Sequence, residues 1–203
     1  MFVITADQVG SRKGSDRVSI ALGRLNRRGD LLLPAERTAG DELQLVTQRG
    51  ATALDILLEL SRSGEWNIGC GVGGVSGLDG GSVRSASGAA FVAARAAVER
   101  SKAKQTRFAL RDATTDVPSL EALIDLLLVV RSRRTAEGWE VVDLLAGGTT
   151  QAQAAQELGI TPQAVSQRAI AAAWRVERAA LPALADQLEA MDRLDVDQSQ
   201  GAA

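Results

Sequence analysis

The sequence predicts a mixed α+β sandwich followed by an all-helical region, and three observations carry that expectation. Short apolar runs alternate with helical patterns as far as Asp112. Gly40-Asp41 separates two of those runs, the mark of a tight turn in a hairpin. Beyond Thr114 no strand-like run recurs, and apolar residues return at helical spacing.

"MFVITAD" opens as a strand ending at Asp7, and "RVSIALGRLNRR" places Val18, Leu22 and Leu25 on one helical face before Gly29-Asp30. "LLLPAERTAGDELQLVTQ" reads as the two hairpin strands. "TALDILLELSRSG" is an amphipathic helix closed by Gly64, and "EWNIGCGVGGV" is a glycine-rich strand. A loop, "GLDGGSVRSAS", leads to the helix "GAAFVAARAAVERSK" and a last strand, "TRFALRD". This order predicts helices over one face of a single sheet, in a domain at residues 1–113. A linker helix, "SLEALIDLLLVVRSRR", falls within 114–135; its last-turn arginines suit the helix dipole, and its apolar breadth predicts burial or self-association. An all-helical domain is expected at 136–191 and a frayed tail at 192–203. Leu181, Leu184, Leu188 and Met191 form a seam for packing or dimer contact, and Trp66, Trp139 and Trp174 read as core or interface anchors.

Composition excludes several chemistries. The chain has 203 residues, no histidine, one cysteine and a formal net charge of −2. A histidine base, a histidine metal site and a disulfide framework within one chain are therefore ruled out. Cys70 reads as a core thiol. No secretory leader or membrane-length apolar run is visible, so a cytoplasmic location and no membrane partner are expected. Without a strongly basic balance, nucleic-acid contact has to use a local patch.

Such a patch is offered by "QAQAAQELGITPQAVSQRAI". Gly159 supplies a turn, Ala155 a close helix contact, and Leu158, Ile160 and Val165 the filling between two helices. Thr161 is a good N-cap with Pro162 at the first helical position, and "EGWEVVDLLAGG" adds a preceding helix. The unit resembles a helix-turn-helix of bacterial regulators and of sigma-factor region 4. That resemblance implies that Thr161, Gln163, Ala164, Gln167 and Arg168 face base edges, with Ser166 and Gln151 on phosphates. Arg131, Arg133 and Arg134 are candidate phosphate contacts. They are needed because Arg168, Arg175 and Arg178 stand against Glu137, Glu140, Asp143, Glu157 and Glu177. A second basic run, Arg95 to Arg111, reads as a solvated face.

Asp7 at a strand end and Asp41 at the hairpin tip are the candidate metal ligands, since adjacent carboxylates favour a neutralising cation. "ADQVGSR", "TAGDELQ", "IGCGVGGV" and "SGAAFVAARAAVE" resemble, in order over residues 2–111, the landmarks of the SatD family. More distantly they are similar to the palm domain of nucleotidyl and diguanylate cyclases. This implies a ferredoxin-like, palm-like front domain in which Asp7 and Asp41, with Glu42 beside it, hold magnesium and a nucleotide. The hairpin reads Ala39-Gly40-Asp41-Glu42-Leu43 where diguanylate cyclases carry Gly-Gly-Asp/Glu-Glu-Phe, and Arg12, Lys13 and Arg95 match the phosphate-binding cations by type only. "GCGVGG" fits a dinucleotide fingerprint in spacing, but no helix opens after it; its glycines read as sites of close backbone approach.

The sequence thus points to a homodimeric transcriptional regulator that binds double-stranded DNA, with no catalytic residues and no firm cofactor. A metal- or nucleotide-binding protein, or a residual cyclase-like enzyme, using Asp7 and Asp41 is one alternative. A module that binds a protein such as RNA polymerase is the other.

Overall fold

The computed structural model describes residues 1–10, 16–114 and 117–201, the last eight for their backbone alone. The chain is mixed α+β and divides into two compact units: Met1–Asp125 with Leu184–Ala203, and Leu126–Ala183. This partition differs from the expected one at two places. The linker helix is shared between the units, and the seam residues Leu184, Leu188 and Met191 pack in the sheet-bearing unit.

In that first unit, β1 (Phe2–Gln8), β2 (Leu33–Ala39), β3 (Glu42–Thr47), β4 (Trp66–Val72) and β5 (Phe108–Asp112) form one sheet in the order β2-β3-β1-β4-β5. The central strand β1 is antiparallel to both neighbours, and only β4 and β5 run parallel. Helices α1 (Arg17–Leu25), α2 (Gly50–Ser61) and α3 (Ala89–Ser101) fall at the expected positions. The first ends earlier than Gly29, at Asn26, whose side chain accepts from the Ala35 N–H at 2.7 Å and donates to its carbonyl at 2.8 Å.

Every residue of β4 is buried, so the sheet is covered on both faces. One cover is α3. A Cβ on Gly69 would lie 2.3 Å from the Val98 nitrogen, and one on Gly71 would lie 2.2 Å from the Ala90 carbonyl oxygen. Only glycine admits a helix backbone that close. Val3 and Val46 share this face with Ala90, Ala94 and Val83 of the preceding loop. Strand alternation turns Phe2, Ile4, Leu45 and Cys70 the other way, where α1 and α2 cover them. The expectation of helices on one face only is therefore corrected. The reason is the glycine pair, which makes a second face available to a helix.

α4 (Pro118–Ser132) begins in this unit. Its Glu121 accepts from Arg100, from Lys104 at 2.7 Å and from the Leu110 N–H at 2.6 Å; Asp125 accepts from Lys104 and from Thr106. Part of the run expected to be a solvated basic face is thereby neutralised. α8 (Trp174–Gly201) runs past residue 191, and the helical backbone to Gly201 replaces the frayed tail expected from 192. No glycine or proline interrupts it between Pro182 and Gly201. Within the first unit, Gly50 lies so close to α8 that its absent Cβ would meet Leu188, while its N–H donates to Glu189 at 2.6 Å.

The second unit consists of the last turns of α4, then α5 (Ala136–Ala146), α6 (Gln151–Leu158), α7 (Pro162–Ala171) and the start of α8. Its core is Val141, Ala154, Ala155, Val165 and Ala169, with Leu144, Leu145, Leu158, Ile160 and Trp174 around them. Among the described residues no helix is long and apolar enough to cross a membrane.

Candidate nucleic-acid interface

The start of α6 is held by reciprocal bonds. The Thr150 hydroxyl accepts from the Gln153 N–H, and the Gln153 side chain accepts from the Thr150 N–H at 3.0 Å. Gly159 ends the helix at φ 65°, ψ 30°, a left-handed conformation that a side chain would strain. Two residues on, the Thr161 hydroxyl accepts from the Ala164 N–H at 3.1 Å and Pro162 opens α7. Val165 is fully buried, while Gln163 and Gln167 are exposed on the opposite side and Thr161 is exposed at the N-cap. Ala164, Ser166 and Gln151 are half-buried. The glutamines thus have room to engage an outside partner along one edge of the helix.

Arg168 lies differently. It is half-buried, with its guanidinium 3.7 Å from the Glu140 carboxylate on α5. The proposed phosphate contacts also divide. Arg133 is exposed, but Arg134 is 1 % exposed and bonded to Glu177, which is itself 3 % exposed. Arg134 donates through Nε to the Ala172 carbonyl at 2.8 Å, and Arg131 pairs with the same Glu177. Both guanidinium groups stack on Trp139, at 4.8 Å and 4.7 Å from its centroid. The assignment of Arg131 and Arg134 to phosphates is corrected by this geometry. A buried carboxylate needs cationic partners once removed from water, and these two supply them.

Two cations that the sequence reading left unassigned stand in a better place. Arg175 and Arg178, at the start of α8, line a cleft of about 650 Å³ with Thr149, Thr150, Gln151 and Trp174. A neighbouring apolar cleft of about 230 Å³ shares Gln151 and Arg175 and adds Ser166, Ile170 and Val176. Ile170 and Val176 are 71 % and 72 % exposed. Arg175 and Arg178 lie one turn apart on α8, and they meet Gln151 only in the folded chain, where all three line one cleft.

At the sheet end, strand register sets Asp7 opposite Glu42 and Asn67, while the Asp41 carbonyl accepts from the Gln8 N–H at 2.9 Å. The Asp7 carboxylate lies 3.4 Å from the Lys102 ammonium, which also pairs with Glu99 at 2.8 Å. The Lys102 pKa is raised chiefly by its bond to Glu99, with the Asp7 charge adding to it. Among the described residues no three acidic or cysteine side chains gather to hold a metal ion. A divalent cation at Asp7 would have to displace the ammonium that neutralises it. Arg12 and Lys13 lie outside the described residues, and Arg95 is exposed on α3. No family model, curated protein or solved structure matches the chain.

Proposed function

We propose that the chain is a DNA-binding protein and a transcriptional regulator, with α6 and α7 acting as a helix-turn-helix. The observation that carries this reading is the division of α7 into a buried side at Val165 and an exposed edge bearing Gln163 and Gln167, with Thr161 exposed at its N-cap. A glutamine amide presents a donor and an acceptor together, which suits the adenine edge in the major groove. Ala164 is small enough to meet a thymine methyl. Arg168 is turned toward Glu140 and contributes less than the two glutamines.

In the front unit, the chain order β1-α1-β2-β3-α2-β4 with the spatial order β2-β3-β1-β4 supports a ferredoxin-like, palm-like sandwich extended by β5. The resemblance to the SatD family is kept on the same footing. Such a domain acts as a sensor or as the dimer contact, and an effector works only by binding two states with different affinity.

The test is duplex binding by the full chain against a genomic fragment pool, followed by sequencing of the retained fragments. Gln163→Ala and Gln167→Ala are expected to relax the sequence preference, each costing about 1–3 kcal/mol of discrimination. Unchanged preference in both variants removes α7 as the reading element. Contact with a protein such as RNA polymerase is the second reading, and the exposed Ile170 and Val176 beside an apolar cleft favour it.

A further inference from the structure

We infer that the nucleic-acid contact extends from α7 onto the first turns of α8, where Arg175 and Arg178 hold phosphodiester oxygens of a duplex strand. The inference rests on the DNA-binding reading above and adds a surface to it.

Both arginines are exposed, and among the described residues no carboxylate lies within ion-pair distance of either. That sets them apart from Arg131 and Arg134, which are committed to Glu177, and from Arg168, which leans on Glu140. Arg178 is steadied by the Trp174 ring, 5.9 Å from its guanidinium carbon. The cleft they line has no acidic residue in its wall. Threonine and glutamine at the start of α6 furnish the remaining polar surface. Uncompensated guanidinium groups in an acid-free cleft favour a polyanion, and their planar fork matches two phosphate oxygens at once.

Continuity says which polyanion. Gln151 and Arg175 belong both to this cleft and to the neighbouring one, whose wall includes Ser166 and Ile170 of α7. A strand whose bases meet the exposed edge of α7 therefore has donors for its backbone at Ser166, Gln151, Arg175 and Arg178. This strip also answers the charge deficit of the unit, because it concentrates two cations where no acid opposes them.

The experiment uses the full chain and a labelled random-sequence duplex, titrated between about 50 and 200 mM salt. Replacing both residues, Arg175→Ala with Arg178→Ala, is expected to reduce the slope of log affinity against log salt by about two, since each phosphate contact contributes about 0.9. Affinity should fall alike for every retained genomic sequence. Arg175→Lys with Arg178→Lys should keep the slope. Thermal unfolding of each variant at the parent temperature verifies that folding is intact. Parent-like slope and affinity in the double alanine variant overturn the inference and leave the reading of α7 standing. Failure of the parent chain to bind any duplex overturns both. Loss of polyglutamate binding in the double variant with duplex binding unchanged assigns the cleft to an acidic protein segment, which also overturns it.

Discussion

The two compact units solve the burial problem in opposite ways. The sheet unit removes apolar surface on both sides of β1 and β4, with large side chains such as Phe2, Ile4, Leu45 and Ile68 inaccessible to solvent. At Gly69 and Gly71 it brings backbone against backbone, with no room for a Cβ. The helical unit has mostly small residues at its centre: Ala154, Ala155, Ala169, Val141 and Val165. Close packing of small residues brings α5, α6 and α7 together but buries little area per residue. There a buried ionic cluster, Arg131 and Arg134 on Glu177 under Trp139, joins the end of α4 to α5 and α8. The unit proposed to touch DNA thus relies on buried ion pairs beside a core of small residues, and the sheet unit on a core of large side chains with its ion pairs nearer the surface.

That contrast can be broken most forcefully at Glu177. Glu177→Ala leaves two buried guanidinium groups without their anion and should destabilise the helical unit by about 3–5 kcal/mol. Urea unfolding followed by the fluorescence of Trp139 and Trp174 measures it. A loss below about 1 kcal/mol would show that packing alone sustains this unit.

Gly71→Ala ranks next. The added carbon falls on the Ala90 carbonyl oxygen, a backbone atom that cannot turn aside, so the expected cost is about 1–3 kcal/mol at the upper end. Cys70 reports on it directly. Burial pushes the thiol up to about 12, so at neutral pH it should resist alkylation in the parent and react faster in the variant. With a folded pKa above the free value, this residue's contribution is present below the ordinary thiol range and is lost as pH rises through about 12. Labelling of Cys70 unaffected by Glu177→Ala would sharpen the distinction between the two units.

A smaller effect is expected at Thr161. Thr161→Ala removes the bond to the Ala164 N–H and should cost about 1 kcal/mol, read as earlier hydrogen exchange in the first turn of α7. Smallest is the exposed pair of Asp16 and Arg37. The Arg37 guanidinium, helped by Ser19, holds the Asp16 carboxyl down to about 2 from 3.8. A depressed folded pKa stabilises above the ordinary carboxylate range and is lost as pH falls through about 2. Asp16→Asn should flatten acid unfolding slightly in that window and leave neutral stability nearly unchanged.

The helical motif was legible because its signals are local. Gly159, Thr161 and Pro162 specify helix ends through backbone groups a few residues away, and each does so in the structure. The element order of the front unit was legible for the same reason, through alternation in the strands and the turn at Gly40-Asp41. Charge placement was not. Arg131 and Arg134 look like solvent-facing cations in a helix end, and nothing nearby in sequence announces Glu177. Lys102 shows the same limit, since its approach to Asp7 depends on how α3 crosses the sheet.

What the amino-acid order determined unaided is the succession of helices and strands and the caps of α6 and α7, because caps, turns and hydrophobic periodicity act over one or two turns of chain. Which arginines are withdrawn into the interior, which stay outside at Arg175 and Arg178, and which sheet face receives α3 were decided only by tertiary packing. Burial and ion pairing depend on distances between residues far apart in the chain, and those distances exist only once the chain has folded.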